Sequence, residues 1–336
     1  MNNKTDLSYK ELESQIPHLA EKGISEFSIH NEKISKDKKS ILNLIKLLGR
    51  YAPEVFTSIL ADASVIDNEV VAAAAEIYCS FDIPLECKEK GDKLLFDKKY
   101  YGKKAMLLND YGLVFGFELH YAVGSDDSLK SFLDRLDFAV QQYPNHLIFP
   151  QLEAGIEEGE TAKAAGAPVV TGTFSAKDIR YARDIAFSAK TFYSCGRAVP
   201  WFLSVLKPLR IYPSRFFADF GEWQRCNNCD FRSGFDPENV SHKEIEKMQI
   251  LFVDEKLEEK NKRDLITLVN DIISVNGAMS RLVGEDEESV VETSYHPDDL
   301  FGPESMDLEG FTDNVCMEHC SVKIFAGEEG PDFQVL

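Results

Sequence analysis

What most constrains this chain is a rhythm in its first 150 residues. Short apolar runs rich in β-branched and aromatic residues alternate with segments of helical spacing. The runs are ISEFSIH (24–30), VFTSILA (55–61), CSFDIPL (79–85), LVFGFELHY (113–121) and HLIFP (146–150). Helical patterns fill the gaps at 36–50, 67–77, 97–111 and 127–142. Another occupies 8–22, where Ser8 and Glu11 fit a capping box. Strand starts recur roughly every 30 residues, the length of a βα unit. Strands alternating with helices predict a parallel sheet with helices packed over it, here a partial (β/α) TIM-like barrel of five strands. A barrel normally opens on a strand. The helix at 8–22 therefore reads as the crossover after a strand that this sequence does not contain.

From about 151 the rhythm stops. LEAGIEEGETAKAAGAPVVTG (152–172) reads as a loop leading out of the barrel. Ser175 caps a long helix, and the aromatic segment 197–224 should be buried. Ser241 and Glu244 form a second capping box opening a helix at about 241–260, with another near 262–279. The acidic stretch 284–314, punctuated by Pro and Gly, reads as a surface loop with one short strand. The division expected is a partial barrel over 1–155 and a mostly helical region over 156–336.

The 336 residues are 44% hydrophobic, ample for a sizeable core, and carry a formal charge of −20. That balance argues against nucleic acid and anionic membranes as partners, since both need a basic footprint. No apolar run reaches the ~18–20 residues of a membrane helix, and the N-terminal residues lack a signal-peptide core. A cytoplasmic protein is expected. Its seven cysteines are then reduced thiols or metal ligands. Cys226 and Cys229 form CxxC; Cys316 and Cys320 form CxxxC. Together they could hold a tetrahedral zinc ion or an iron–sulfur cluster; the alternative is two unrelated thiol pairs. A CxxxCxxC set fails because its third position is Lys323.

Ligands in parallel α/β folds bind at the C-terminal ends of the strands. The polar residues there are Asn31, Glu32, Asp62, Glu86, Glu118, His120 and Glu153. Asn31, Glu32 and Asp62 equally suit helix caps. Glu118 and His120 share a side by the strand's period of two, so they could act as acid and base, bind a metal, or make an internal hydrogen bond. His296 with Asp298 and Asp299 reads as a metal trio or, more simply, as a proline-containing turn.

Several segments resemble one family. IHNEKISKDKKSILNLIKLL (29–48), FTSILADASVIDNEVVAAAAEIYCSFDIPLE (56–86) and the stretch 112–153 are similar in order and spacing to the radical SAM barrel, in its cobalamin-associated subgroup. SAKDIRYARDIAFSAKTFY (175–193) and 275–300 resemble later parts of that subgroup. The resemblance implies a barrel of the radical SAM type, with several of the strand-end residues facing a pocket that holds S-adenosylmethionine. It also implies features that are missing here: the first strand, its CxxxCxxC, the cobalamin domain, and a Gly-Leu-Pro-Gly in place of AVGSDDS (122–128). Two readings follow. In one, the chain is a non-catalytic binding or scaffold protein. In the other, it is half of a split enzyme, with a partner chain supplying the missing strand and cluster.

Overall fold

The computed structural model describes residues 9–90, 93–123, 127–153, 168–328 and 330–336. Ser8, residues 124–126 of the AVGSDDS stretch and most of the 152–172 loop lie outside them. The chain divides into two compact units, Met1–Ile179 and Arg180–Leu336.

The first unit is built on the expected rhythm. Helix α1 (Tyr9–Glu21) precedes β1 (Glu26–Ile29); α2 (Glu32–Ser35) and α3 (Lys38–Tyr51) lead to β2 (Phe56–Leu60); α4 (Asn68–Ala74) leads to β3 (Cys79–Pro84). An unforeseen antiparallel hairpin follows, β4 (Lys88–Lys90) with β5 (Lys93–Leu95). Then come α5 (Lys98–Asp110), β6 (Val114–Glu118), α6 (Leu129–Val140), β7 (His146–Ile148) and α7 (Pro150–Glu153). The five long-range strands form one parallel sheet in the order β1-β2-β3-β6-β7.

Successive side chains on a strand point to opposite faces, and here the two faces differ in kind. One carries Phe27, Ile29, Ile59, Phe81, Ile83, Phe115, Phe117 and Leu147, all buried, with Thr57 as its polar exception. The helices cover this face with apolar residues at three- and four-residue spacing, as in Ile41, Leu44, Ile45 and Leu48 of α3. Phe138 of α6 packs on Phe117 with ring centroids 6.4 Å apart. The opposite face carries Ser28, Ser58, Ser80, Asp82, Glu118 and His146, interspersed with Phe56, Leu60, Val114 and Ile148.

The loop ends of the strands are pinned by a buried ion pair. Arg135 of α6 meets Asp127 at 3.1 Å, with side chains 4% and 6% exposed. The same guanidinium donates to the carbonyls of His120 and Leu85, at 2.9 and 3.3 Å. It therefore ties the segments following β6 and β3 to one helix.

Helix α8 (Ala176–Ala189) opens at the end of the first unit, where Ser175 and Asp178 bond each other's backbone N–H groups, and carries the chain into the second. It runs into a π-helical turn, Lys190–Cys195, and then α9 (Phe202–Leu209) and α10 (Pro213–Asn227). Phe192 is the hub of the aromatic core, touching Trp201, Phe202, Phe216 and Phe220. A π-turn displaces carbonyls from their usual donors. Gln249 of α11 (His242–Glu259) recovers two of them, donating to Phe192 O at 2.7 Å and Gly196 O at 2.9 Å. Beside it, His242 Nε2 donates to Gly196 O at 3.3 Å, while its Nδ1 accepts from Arg281 at 3.2 Å. Arg281 belongs to α12 (Ile266–Glu285) and also pairs with Glu246 at 2.5 Å.

The acidic stretch holds more order than its composition suggests. After β8 (Ser289–Thr293) come α13 (Pro297–Phe301) and α14 (Leu308–Asn314), then β9 (Cys320–Gly327) and β10 (Gly330–Val335). The three strands form an antiparallel sheet in the order β10-β9-β8. Cys320, Val322 and Ile324 alternate inward against Ala278 and Leu282 of α12. The one short strand expected within 284–314 is β8, with two short helices where loop was expected; β9 and β10 lie beyond that stretch.

Two outcomes are expected. Phe117→Ala empties a fully buried site and should cost about 3–5 kcal/mol in urea unfolding, whereas Val114→Ala, half-buried on the other face, should cost about 1 kcal/mol. Separately, burial first, then the Arg197 and Arg281 cations, push the His242 imidazole down to about 4 from its ordinary 6.5. Between these values the unfolded chain binds a proton that the folded one does not. Stability should therefore fall as pH drops from 6.5 towards 4, by on the order of 2 kcal/mol. Melting His242→Gln across that range should show a shallower decline than wild type.

Candidate functional site

The polar sheet face has a centre. Asp82 sits in β3 between Leu60 of β2 and Gly116 of β6, and Gly116 in turn pairs with His146 of β7. His30 follows Ile29, the last residue of β1, on the same side of the sheet. The Asp82 side chain is 3% exposed. It accepts hydrogen bonds from His146 Nε2 at 2.7 Å and His30 Nε2 at 3.0 Å, one on each carboxylate oxygen, and from the Ser58 hydroxyl. The imidazoles are partly open, with His30 37% and His146 30% exposed.

Gly116 makes this convergence possible. A Cβ at that position would lie 2.2 Å from His146 Nε2. Without one, the ring crosses the neighbouring strand to reach Asp82. Burial by itself would raise the Asp82 carboxyl, but the hydrogen bonds from His146 and His30, with that from Ser58, outweigh it. They hold Asp82 well below the usual carboxylate range, ionised at neutral pH.

A second polar group lies one step further along the same face. Glu118 Oε1 bonds His120 Nε2 at 2.5 Å, and His120 Nδ1 contacts Gln151 Nε2 of α7 at 3.1 Å. The Gln151 amide donates, so His120 Nδ1 accepts and its Nε2 carries the proton given to Glu118. Arg135 on the His120 carbonyl fixes this strand end. Ser80, in the row below Asp82, is 1% exposed, and its hydroxyl has no hydrogen-bond partner among the described residues.

The other residues singled out in the sequence have local roles. Asn31 caps α2, accepting from Lys33 N and Ile34 N at 3.0 Å each. Glu32 is exposed in the first turn of that helix. Asp62 accepts from Ser64 N at 2.8 Å in a turn. The Glu86 side chain is exposed, while its backbone N–H donates to Tyr101 Oη at 3.0 Å. Glu153 ends α7, and its side chain lies outside the described residues. His296 caps α13, its Nδ1 accepting from Asp298 N at 3.2 Å.

The four cysteines are free thiols. Cys226, Cys229 and Cys316 are exposed, whereas Cys320 is buried in the β9 core. Among the described residues no three His, Cys, Asp or Glu side chains gather as a metal-binding group. Lys323 pairs with Glu288 at 3.0 Å and lies over the Phe325 ring.

The residues that sequence reasoning missed are His30, Ser58, Asp82, Gly116 and His146. Their signal was present. Three strand runs carry Ser at one position and His, Leu or Asp two positions on: Ser28/His30, Ser58/Leu60 and Ser80/Asp82.

The geometry thus describes a parallel α/β unit with a buried polar centre on the sheet face opposite its apolar one. Neither a family model nor a curated protein matches the sequence. Among solved structures the chain is similar to TsrM from Kitasatospora setae, a radical S-adenosylmethionine methyltransferase with cobalamin and a [4Fe-4S] cluster bound. That match has 10% identity and a TM-score of 0.33, and covers 42% of this chain and 30% of that one. The same enzyme with tryptophan substrate and the SAM analogue aza-SAM matches at 9% identity and a TM-score of 0.34, again over 42% and 30%. The likeness is distant, and this chain spans less than a third of that enzyme. No described helix is long and apolar enough to cross a membrane.

Asp82→Asn should show what the centre contributes. It removes a buried charge shared by three donors, for an expected loss of about 3 kcal/mol at pH 7. A carboxyl held low in the fold contributes above its ordinary value of 3.8 and loses that contribution as pH falls through it. The gap between wild type and Asp82→Asn in urea unfolding should therefore narrow below about pH 4.

Proposed function

We propose that this chain is a radical-SAM-like binding protein whose polar sheet face holds a small uncharged or cationic molecule, S-adenosylmethionine or a close analogue. The observation that carries this reading is Asp82: a carboxylate 3% exposed, kept ionised by two imidazoles and a hydroxyl at the strand centre. A buried charge with three converging donors costs stability unless the surroundings are built for it, and such cost concentrates at functional sites. The ligand's charge follows from the lining. The strand positions on this face include Glu26, Asp82 and Glu118 but neither lysine nor arginine. A phosphate-rich ligand would find no permanent cation there, whereas a sulfonium or ammonium would meet carboxylates. The seven cysteines contain no CxxxCxxC set, so this chain's own thiols favour binding over radical chemistry.

Equilibrium dialysis with radiolabelled S-adenosylmethionine tests the reading. Saturable binding is expected, weakened about tenfold in Glu118→Gln, the worth of one charged hydrogen bond. Absence of saturable binding at millimolar ligand would reject S-adenosylmethionine as the occupant.

A further inference from the structure

We infer that His146 is a proton acceptor for the molecule bound on this face, held and charge-compensated by Asp82. The inference rests on the reading of the polar face as a ligand site and adds a chemical task to it.

The argument begins with the two nitrogens of one ring. His146 Nε2 is 2.7 Å from Asp82 Oδ1. Because Asp82 is ionised it can only accept, so Nε2 carries the hydrogen. In the neutral ring, Nδ1 is then left with a lone pair, and no partner for it is seen among the described residues. This is the division of labour by which a carboxylate orients a histidine base: one nitrogen is anchored and the other works. His120, the neighbouring imidazole, is arranged differently. Glu118 and Gln151 occupy both of its nitrogens, so it serves position rather than proton transfer.

Three further features favour a working base over a buried structural contact. The His146 ring is 30% exposed, so a ligand can reach it, while its anchor is 3% exposed, so water does not weaken the pair. Gly116 leaves the space through which the ring reaches the carboxylate. The buried Ser80 hydroxyl, unpartnered among the described residues, stands one row below Asp82 on the same strand face. An unpaired buried hydroxyl costs stability unless something else satisfies it.

The step balances without a co-reactant. A weakly acidic O–H or C–H bond of the bound molecule breaks, an Nδ1–H bond forms, and the bonding pair stays on the substrate. The imidazolium charge is offset by Asp82. Return of the proton to the same molecule closes the cycle, so the reaction class is proton transfer within a small uncharged or cationic substrate, an isomerisation or epimerisation.

Diethyl pyrocarbonate tests the lone pair directly. The imidazole nitrogen attacks the anhydride carbonyl, an N–C bond forms, and ethanol and carbon dioxide leave. Peptide mass mapping of the full chain gives a rate for each histidine. His146 should be labelled about tenfold faster than the exposed His18 and His319, as an activated nitrogen is. Asp82→Asn should bring it down to their rate. Gly116→Ala, which displaces the ring while leaving the carboxylate in place, should do the same and covers the case in which Asp82→Asn fails to fold. Labelling of His146 no faster than His18 overturns the inference, as does an unchanged rate in a folded Gly116→Ala. Dialysis with S-adenosylmethionine on the same preparations separates the readings: fast labelling supports the base whether or not that ligand binds, and slow labelling removes the base even where it does.

Discussion

The organising constraint of the first unit is a buried carboxylate. Asp82 stands in the middle strand of a five-stranded parallel sheet, where an isolated charge would cost several kcal/mol. Three donors from three other places in the chain remove that cost: His30 after β1, Ser58 on β2 and His146 on β7. Each must come from a different strand, so the arrangement exists only when the sheet is in register. Register and site therefore specify each other. A one-residue slip of any strand would turn its polar residue to the helix-covered face.

That dependence explains why the two sheet faces differ so sharply. The apolar face supplies most of the stabilisation, through Phe81, Phe115, Phe117 and the helices that cover them. Driven by area removed from water, it can support a polar centre on the reverse side. The Arg135–Asp127 pair then fixes the loop ends, because one guanidinium holds both the Leu85 and the His120 carbonyls. His120 is placed by the same residue that closes the strand ends.

Much of this fold was legible in the sequence, because long-range strands and helices advertise themselves through period. All five runs became strands of one sheet, and the helical patterns between them became helices, with one unforeseen hairpin after β3. The site was less legible. Helix caps such as Asn31 and turn residues such as Asp62 resemble strand-end ligands in sequence, since both are short polar residues after an apolar run. The centre lay inside the runs instead. Asp82 was hidden by the expectation that both faces of a parallel sheet are apolar, and His146 opened a run of three strand residues. Gly116 has meaning only through its cross-strand neighbours, which sequence order does not reveal. The paired cysteines were conspicuous for a different reason. Spacing brought Cys316 and Cys320 to notice; Cys320, the first residue of β9, turns into the core, while Cys316, in the segment before that strand, is exposed.

The balance of charge on the polar face sharpens what its chemistry can be. With Asp82 satisfied by three donors, it has little left to offer a ligand directly, and it acts through the rings it holds. Glu118 retains an oxygen beyond the one bonded to His120, and is the carboxylate best suited to meet a cationic group. A ligand bridging Glu118 and His146 would thus meet an anion at one end and an imidazole nitrogen at the other. On the proposed reading, binding and proton transfer are separable on this face: Glu118 would act on affinity, and Asp82 on the reactivity of His146.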